Sequence, residues 1–189
     1  VEIWCNKIRN NSNGIAILGL NPYETIVAGN EIYANTVNGI YLTGGNHAVR
    51  GNNIHDNPTG IYISSTLAGN KIYYNNFQNN GVNAVVLMGT HIWDDLTTTY
   101  PLQKGNYWDD WSGSGYYQIN PNNVDHHPMS SPLTFLVADI NRDQRVNVID
   151  FAIFHKAYLA ATWDPRADLD HDGDIDVWDL LTFYDYWGY

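Results

Sequence analysis

The sequence predicts a mostly β chain in two parts: a parallel β-helix over residues 1–132, then a small helical domain over residues 133–189 built on two acidic loops. Three observations carry this reading. An Asn-x-Ile-x-x-Asn motif occurs four times within residues 6–75. Each copy is followed by glycine and a short run of alternating apolar residues. The charge is also unevenly spread: the 189 residues hold 20 acids and 9 bases, net −11, yet residues 1–90 carry four of each while residues 135–189 carry eleven acids against four bases. A break of this kind marks two different architectures.

The motif copies occupy residues 6–11, 30–35, 52–57 and 70–75, spaced by 24, 22 and 18 residues. The runs after them read Gly14-Ile15-Ala16-Ile17, Gly39-Ile40-Tyr41-Leu42 and Gly60-Ile61-Tyr62-Ile63, with a looser fourth at Ala84-Val85-Val86-Leu87. Strands of period two bury one face only. A single coil cannot enclose that face, so successive coils must stack. The expected internal ladders are Ile8, Ile32, Ile54, Ile72; then Ile15, Ile40, Ile61; then Ile17, Leu42, Ile63. Asparagine at coil corners tolerates left-handed backbone and bonds its own turn. Stacked Asn11, Asn35, Asn57 and Asn75 would also bond one another along the axis.

Composition narrows the function. The acidic balance argues against a nucleic-acid partner. No run of about 18 apolar residues is present to span a membrane. The single Cys5 excludes an internal disulfide framework and a multi-cysteine zinc site. The chain lacks an initiator Met and a signal-type segment, which suggests a processed, truncated or internal start. Asn10-Asn11-Ser12 is an N-glycosylation sequon and fits a secreted chain.

Three further segments are Ile92-Trp93-Asp94, Gly105-Asn106-Tyr107-Trp108-Asp109-Asp110-Trp111 and Asp125-His126-His127-Pro128-Met129. With the repeats they resemble the right-handed β-helices of NosD-like and other surface solenoids common in methanogenic archaea, over residues 2–129. The three segments resemble the closing end of those solenoids. Trp93, Tyr107, Trp108 and Trp111 are large enough to plug that end and cover its exposed strand edges.

Many β-helices act on polysaccharides, and glycoside hydrolysis needs paired carboxylates. Glu2, Glu24, Glu31 and Asp56 supply no obvious pair, so no catalytic residue is assigned. Asp56 is the acid to mutate first in testing a lyase or epimerase. Glu31, in line with Lys7, Asn53 and Lys71, reads as part of a salt-linked outer ladder. Tyr33 and Tyr73 at motif position four, with Tyr41 and Tyr62 on the strands, form an aromatic stripe. Either they stack sugar rings or they stack coil on coil and stabilise the sheet. His47, His55 and His91 lack metal-ligand spacing and read as surface or turn residues, while His126 and His127 point apart in extended chain.

The second part carries two twelve-residue acidic runs 29 residues apart, 139–150 and 168–179. Oxygen-bearing side chains fall at positions 1, 3, 5, 9 and 12: Asp139, Asn141, Asp143, Asn147, Asp150, then Asp168, Asp170, Asp172, Asp176, Asp179. Position 7, Arg145 or Asp174, offers a backbone carbonyl. That is the donor pattern of a calcium loop, and two such loops imply two calcium ions. Gln144 replaces the turn glycine of the first loop, which makes it the weaker site. Each run leads into an amphipathic helix, with Phe151, Phe154, Tyr158 and Leu180, Phe183, Trp187 on the inner faces.

Paired loop-helix units without an incoming helix, from about residue 138 to 189, resemble a type I dockerin. The resemblance implies docking to a cohesin. In dockerins, loop positions 10 and 11 help choose the partner; here they are Val148-Ile149 and Val177-Trp178, with Trp178 alternatively packing inside the domain. The expected protein is a non-catalytic, extracellular or cell-surface structural or assembly protein that docks a cohesin or another copy of itself. The first coil reads as open, which would serve self-assembly into a filament or equally mark a truncated longer solenoid. The alternatives are a carbohydrate-binding solenoid, or a lyase or epimerase, delivered by its dockerin.

Overall fold

A computed structural model describes residues 1–19, 24–94, 105–133, 138–141, 146–160, 164, 166–169, 174–185 and 187. The chain forms two compact units, Val1–Leu133 and Thr134–Tyr189. The first is a parallel β-solenoid of about four coils, each with three short strands. These are β1 (Glu2–Trp4), β2 (Lys7–Arg9) and β3 (Asn13–Ile17); β4 (Ile26–Ala28), β5 (Glu31–Tyr33) and β6 (Asn38–Leu42); β7 (Ala48–Arg50), β8 (Asn53–His55) and β9 (Thr59–Ser64); β10 (Lys71–Tyr73), β11 (Asn76–Gln78) and β12 (Val82–Met88). Like strands stack into three parallel sheets, β1-β4-β7-β10, β2-β5-β8-β11 and β3-β6-β9-β12. At the closing end β13 (Tyr107–Trp108) extends the second sheet beyond β11, and β14 (Tyr117–Asn120) pairs antiparallel with β15 (Asn123–Asp125).

The inward rows are apolar and mostly buried. Val27, Val49 and Ile72 continue from Ile3; Ile32, Ile54 and Phe77 continue from Ile8; Ile40 and Ile61 continue from Ile15; Leu42 and Ile63 continue from Ile17. Each fully buried branched side chain contributes roughly 1.5–3 kcal/mol relative to exposure. The expected Ile8-Ile32-Ile54-Ile72 ladder is corrected at its last member. Lys71, Ile72 and Tyr73 register with Ala48, Val49 and Arg50 on the first sheet, and Phe77 takes the place beside Ile54. The 18-residue spacing comes from this change of sheet. Strand-to-strand repeats remain 24, 22 and 23 residues along the first sheet, from Glu2 to Ile26 to Ala48 to Lys71.

The asparagine ladders shift accordingly. One runs Asn6, Asn30, Asn52, Asn75, Asn106; another runs Asn11, Asn35, Asn57, Asn80. In mid-ladder an Oδ1 accepts from both the backbone and side-chain amides of the preceding rung: Asn52 Oδ1 from Asn30 N and Nδ2, both 3.0 Å, and Asn75 Oδ1 from Asn52 N and Nδ2 at 3.0 and 2.9 Å. Most rungs also donate Nδ2 two residues back within their own turn, as Asn52 does to the Arg50 carbonyl at 3.0 Å. The left-handed residue is the one before the rung: φ is 52° at Cys5, 66° at Gly29, 62° at Gly51 and 56° at Tyr74. The rung asparagine is therefore chosen for its amide, and the left-handed corner falls on the residue before it, which in the second ladder is itself an asparagine at Asn10 (60°) and Asn79 (51°).

A third ladder was not apparent in the sequence. Thr25 N donates to His47 Nδ1 at 3.4 Å, His47 N to Asn70 Oδ1 at 3.0 Å, and His91 N to Asn123 Oδ1 at 2.8 Å. His47 and His91, expected at the surface, are buried rungs. Desolvation lowers the pKa of both below the ordinary histidine value.

The second unit contains α1 (Val148–Ala160) and α2 (Val177–Asp185). Its core joins Ala138, Ile140, Val146, Phe154 and Ala157 to Ala167, Leu169 and Phe183, with Phe151, Ile175 and Leu180 partly covered. Most of these pair off at the 29-residue offset, as Ala138 with Ala167 and Phe154 with Phe183. Tyr158 and Trp187 sit at the rim instead of inside, although Trp187 packs edge-on against Phe151 at 6.0 Å. Among the described residues no helix is long and apolar enough to cross a membrane.

Candidate functional site

Each helix of the second unit is capped by position 9 of an acidic loop, by the same local chemistry. Asn147 Oδ1 accepts Ile149 N at 2.8 Å, and Asp150 Oδ2 accepts Asn147 N at 3.1 Å. Twenty-nine residues on, Asp176 Oδ1 accepts Trp178 N at 2.6 Å and Asp179 Oδ2 accepts Asp176 N at 2.8 Å. This reciprocal arrangement is a capping box, which satisfies amides that the first helical turn leaves bare. The second oxygen of each position-12 aspartate reaches back to the loop's beginning. Asp150 Oδ1 accepts Asn141 N at 2.9 Å, and Asp179 Oδ1 accepts Leu169 N at 2.5 Å. Both carboxyls are fully buried. One side chain thus closes the loop and caps the helix.

Asp139 and Asp168, at position 1, are also buried, and Asn141, Asn147 and Asp176 are half-buried. Carboxylate oxygens of Asp174, Asp176 and Asp179 all lie within 4.8 Å of one another. Like charges gathered at this distance favour a cation between them. The donors are oxygens, which suits a hard ion such as calcium. Asp143, Gln144, Arg145, Asp170 and Asp172 lie outside the described residues. Val148, Ile149, Val177 and Trp178 are exposed, at 68%, 55%, 50% and 61%. Trp178 faces solvent rather than the core.

The tyrosines of the solenoid fall on three different sheets. Tyr33 lies under Arg9, 5.8 Å from its ring, and stacks on His55 at 5.0 Å. Tyr41 and Tyr62 pack on each other at 5.7 Å. Tyr73 leaves this stripe with the register change and meets Tyr74 edge-on at 5.3 Å. All four are half-buried. Lys7 pairs with Glu31 at 3.6 Å, while Lys71 lies on another sheet. Asp56 bonds His55 Nδ1 at 2.6 Å.

The closing segment assembles as expected around aromatics. Trp108 continues the Phe77 row, and its ring stacks between Phe77 at 4.5 Å and Tyr117 at 4.1 Å. Trp93 and Trp108 are buried, whereas Tyr107 and Trp111 are partly covered. A Cβ added at Gly105 would overlap the buried Asp125 carboxyl. Gly105→Ala is therefore expected to destabilise the solenoid by about 3 kcal/mol, through overpacking in a site that cannot relax. Denaturant unfolding followed by tryptophan fluorescence checks this, and a midpoint unchanged from wild type would refute it.

Residues 2–113 match the family described as Periplasmic copper-binding protein (NosD). The chain belongs to the NosD family. Residues 137–187 match the type I dockerin domain, so this NosD-family chain ends in a type I dockerin. No curated protein and no solved structure matches the chain.

The copper in the family description finds no matching donor set among the described residues. His47 and His91 are enclosed in a ladder, and His55 lies between Glu31 and Asp56. His126 and His127 approach Asp94 Oδ2 at 3.0 and 3.6 Å, but the only described group of three or more potential ligands drawn together is the dockerin's aspartate cluster. What sequence reasoning missed is the role of Asp94 and Asp125, both buried at the closing end. Asn76 was missed as well: it bonds both Leu133 N at 2.7 Å and Leu133 O at 3.0 Å, fixing where the chain leaves the solenoid.

Proposed function

We propose that this chain is a non-catalytic assembly protein of the cell surface or extracellular space, whose calcium-loaded dockerin docks a cohesin. Asp139, Asn141, Asp143, the Arg145 carbonyl, Asn147 and Asp150 hold one ion. Asp168, Asp170, Asp172, the Asp174 carbonyl, Asp176 and Asp179 hold the second. Bound calcium fixes the loops from which the two helices start. The dockerin match supports this reading, and so does the duplicated capping box on buried Asp150 and Asp179.

The observation that carries the docking surface is the exposure of Val148-Ile149 and Val177-Trp178 at equivalent helix starts. Apolar and aromatic anchors of this kind dominate binding energy when a partner desolvates them. Because the two pairs are internal equivalents, each can substitute for the other. Single Ile149→Ala and Trp178→Ala substitutions should therefore weaken binding modestly. The double substitution should weaken it at least ~30-fold, the loss expected for about 2 kcal/mol. Surface plasmon resonance of the full chain against a cohesin panel, with calcium and with EDTA, reads both effects. Undiminished, calcium-independent binding by the double variant would refute the assignment. A calcium-dependent dimer that binds no cohesin would make a second copy the partner.

A further inference from the structure

The first asparagine ladder ends on a carboxylic acid. Asp125 occupies the rung after Asn106 and is fully buried. Its Oδ2 accepts Asn106 N at 2.7 Å, Asn106 Nδ2 at 3.3 Å and the Trp108 indole N–H at 2.9 Å, and its Oδ1 accepts His127 N at 3.0 Å. Asp94, also buried, lies beside it, because the one His127 amide reaches an oxygen of each. Asp94 Oδ1 accepts His126 N at 2.8 Å and His127 N at 3.4 Å, and its Oδ2 accepts His126 Nδ1 at 3.0 Å. These bonds gather residues 94, 105–108 and 125–127 around one carboxyl pair.

Two buried carboxyls sharing one amide disfavour carrying charge together, so one keeps a proton. The surroundings decide which. Burial acts to raise Asp94, but the bonds from Asp125 and from the His126 ring and backbone outweigh it and hold that carboxyl below its ordinary value. Burial, and then the bond to Asp94, pushes Asp125 up to about 8 against the pull of Asn106 and the Trp108 indole. The facing titratable groups are Asp94, His126 and His127, with Tyr117 opposite Asp125 on the paired strand. Among the described residues no lysine or arginine forms an ion pair with either acid.

We propose that a proton held between Asp94 and Asp125 latches the closing end of the solenoid, and that this end loosens when the proton is lost. In the folded chain Asp125 retains its proton up to about pH 8, whereas unfolded it ionises near 3.8. Between those values the folded state binds the extra proton, so this latch contributes less stability as pH rises, and the effect levels off above about 8. Asp94 acts in the opposite sense, but only below its unfolded value. His47 and His91, lowered by burial, favour the folded state more as pH rises toward 6.5, so the latch is read by comparison rather than from one curve.

The comparison is with Asp125→Asn. Asparagine keeps the acceptor for Asn106 and Trp108, gives Asp94 a permanent donor, and does not ionise. The solenoid's thermal midpoint in the wild-type chain, relative to the variant, should fall from pH 5 to pH 8 and then stay level; parallel curves would overturn the latch. Infrared spectroscopy of the wild-type chain tests it even if the variant does not fold. A carboxylic-acid C=O band should be present at pH 6.5 and gone by pH 10, and its absence at pH 6.5 would overturn the latch.

Discussion

Asn52→Ala should destabilise the solenoid on the order of 5 kcal/mol, far more than the same substitution at Asn6. Asn52 is fully buried in mid-ladder. Its Oδ1 satisfies both Asn30 N and Asn30 Nδ2, and its Nδ2 donates to the Val27 and Arg50 carbonyls and to Asn75 Oδ1. Alanine removes all of these and leaves polar backbone atoms unpaired in a dry interior, at roughly 1–3 kcal/mol for each unsatisfied group. Asn6 is exposed at the first coil, where water replaces what is lost, so Asn6→Ala should cost less than about 1 kcal/mol. Denaturant melts of the two variants measure the difference. Equal losses would mean that the apolar rows hold the coils without the ladder.

The second large effect falls on the dockerin. Asp179→Ala should abolish the helical signal of this unit while leaving the solenoid's own transition in place. A unit spanning only Thr134–Tyr189 has an expected stability of ~3–8 kcal/mol. The buried Asp179 carboxyl both caps α2 and ties the loop's start at Leu169 to it. Losing the cap costs about 1 kcal/mol, and the two stranded amides cost roughly 1–3 kcal/mol each. The same carboxyl belongs to the aspartate cluster, so the substitution also removes one of the cluster's oxygen donors. Circular dichroism and calorimetry on the full chain would show one transition instead of two. Retention of both transitions at wild-type temperatures would contradict this account of the loop.

Much of this was legible in the residues. The apolar alternation and the asparagine spacing mark a stacked solenoid, because both follow from local geometry that repeats. The doubled acidic loops mark the dockerin, since position 9 and position 12 must carry oxygen to cap the helix. The sequence misled where two coil corners look alike. Residues 70–75 carry the same motif as residues 52–57 yet stack on residues 47–52, and only the pairing of Lys71 with Ala48 distinguishes them. His47 and His91 were unreadable as rungs because a ring nitrogen stands in for an amide there. The Asp94–Asp125 pair joins residues 31 apart across the closing end, a proximity that no local pattern encodes.

The most direct test of the proposed function is a calorimetric calcium titration of the full chain, repeated on Asp168→Ala. Two binding events, with dissociation constants at or below about 1 mM, and the loss of one event in the variant, are the predicted result. No heat of binding up to several millimolar calcium would contradict the calcium-loaded dockerin, and with it the docking surface that the loops are proposed to hold in place.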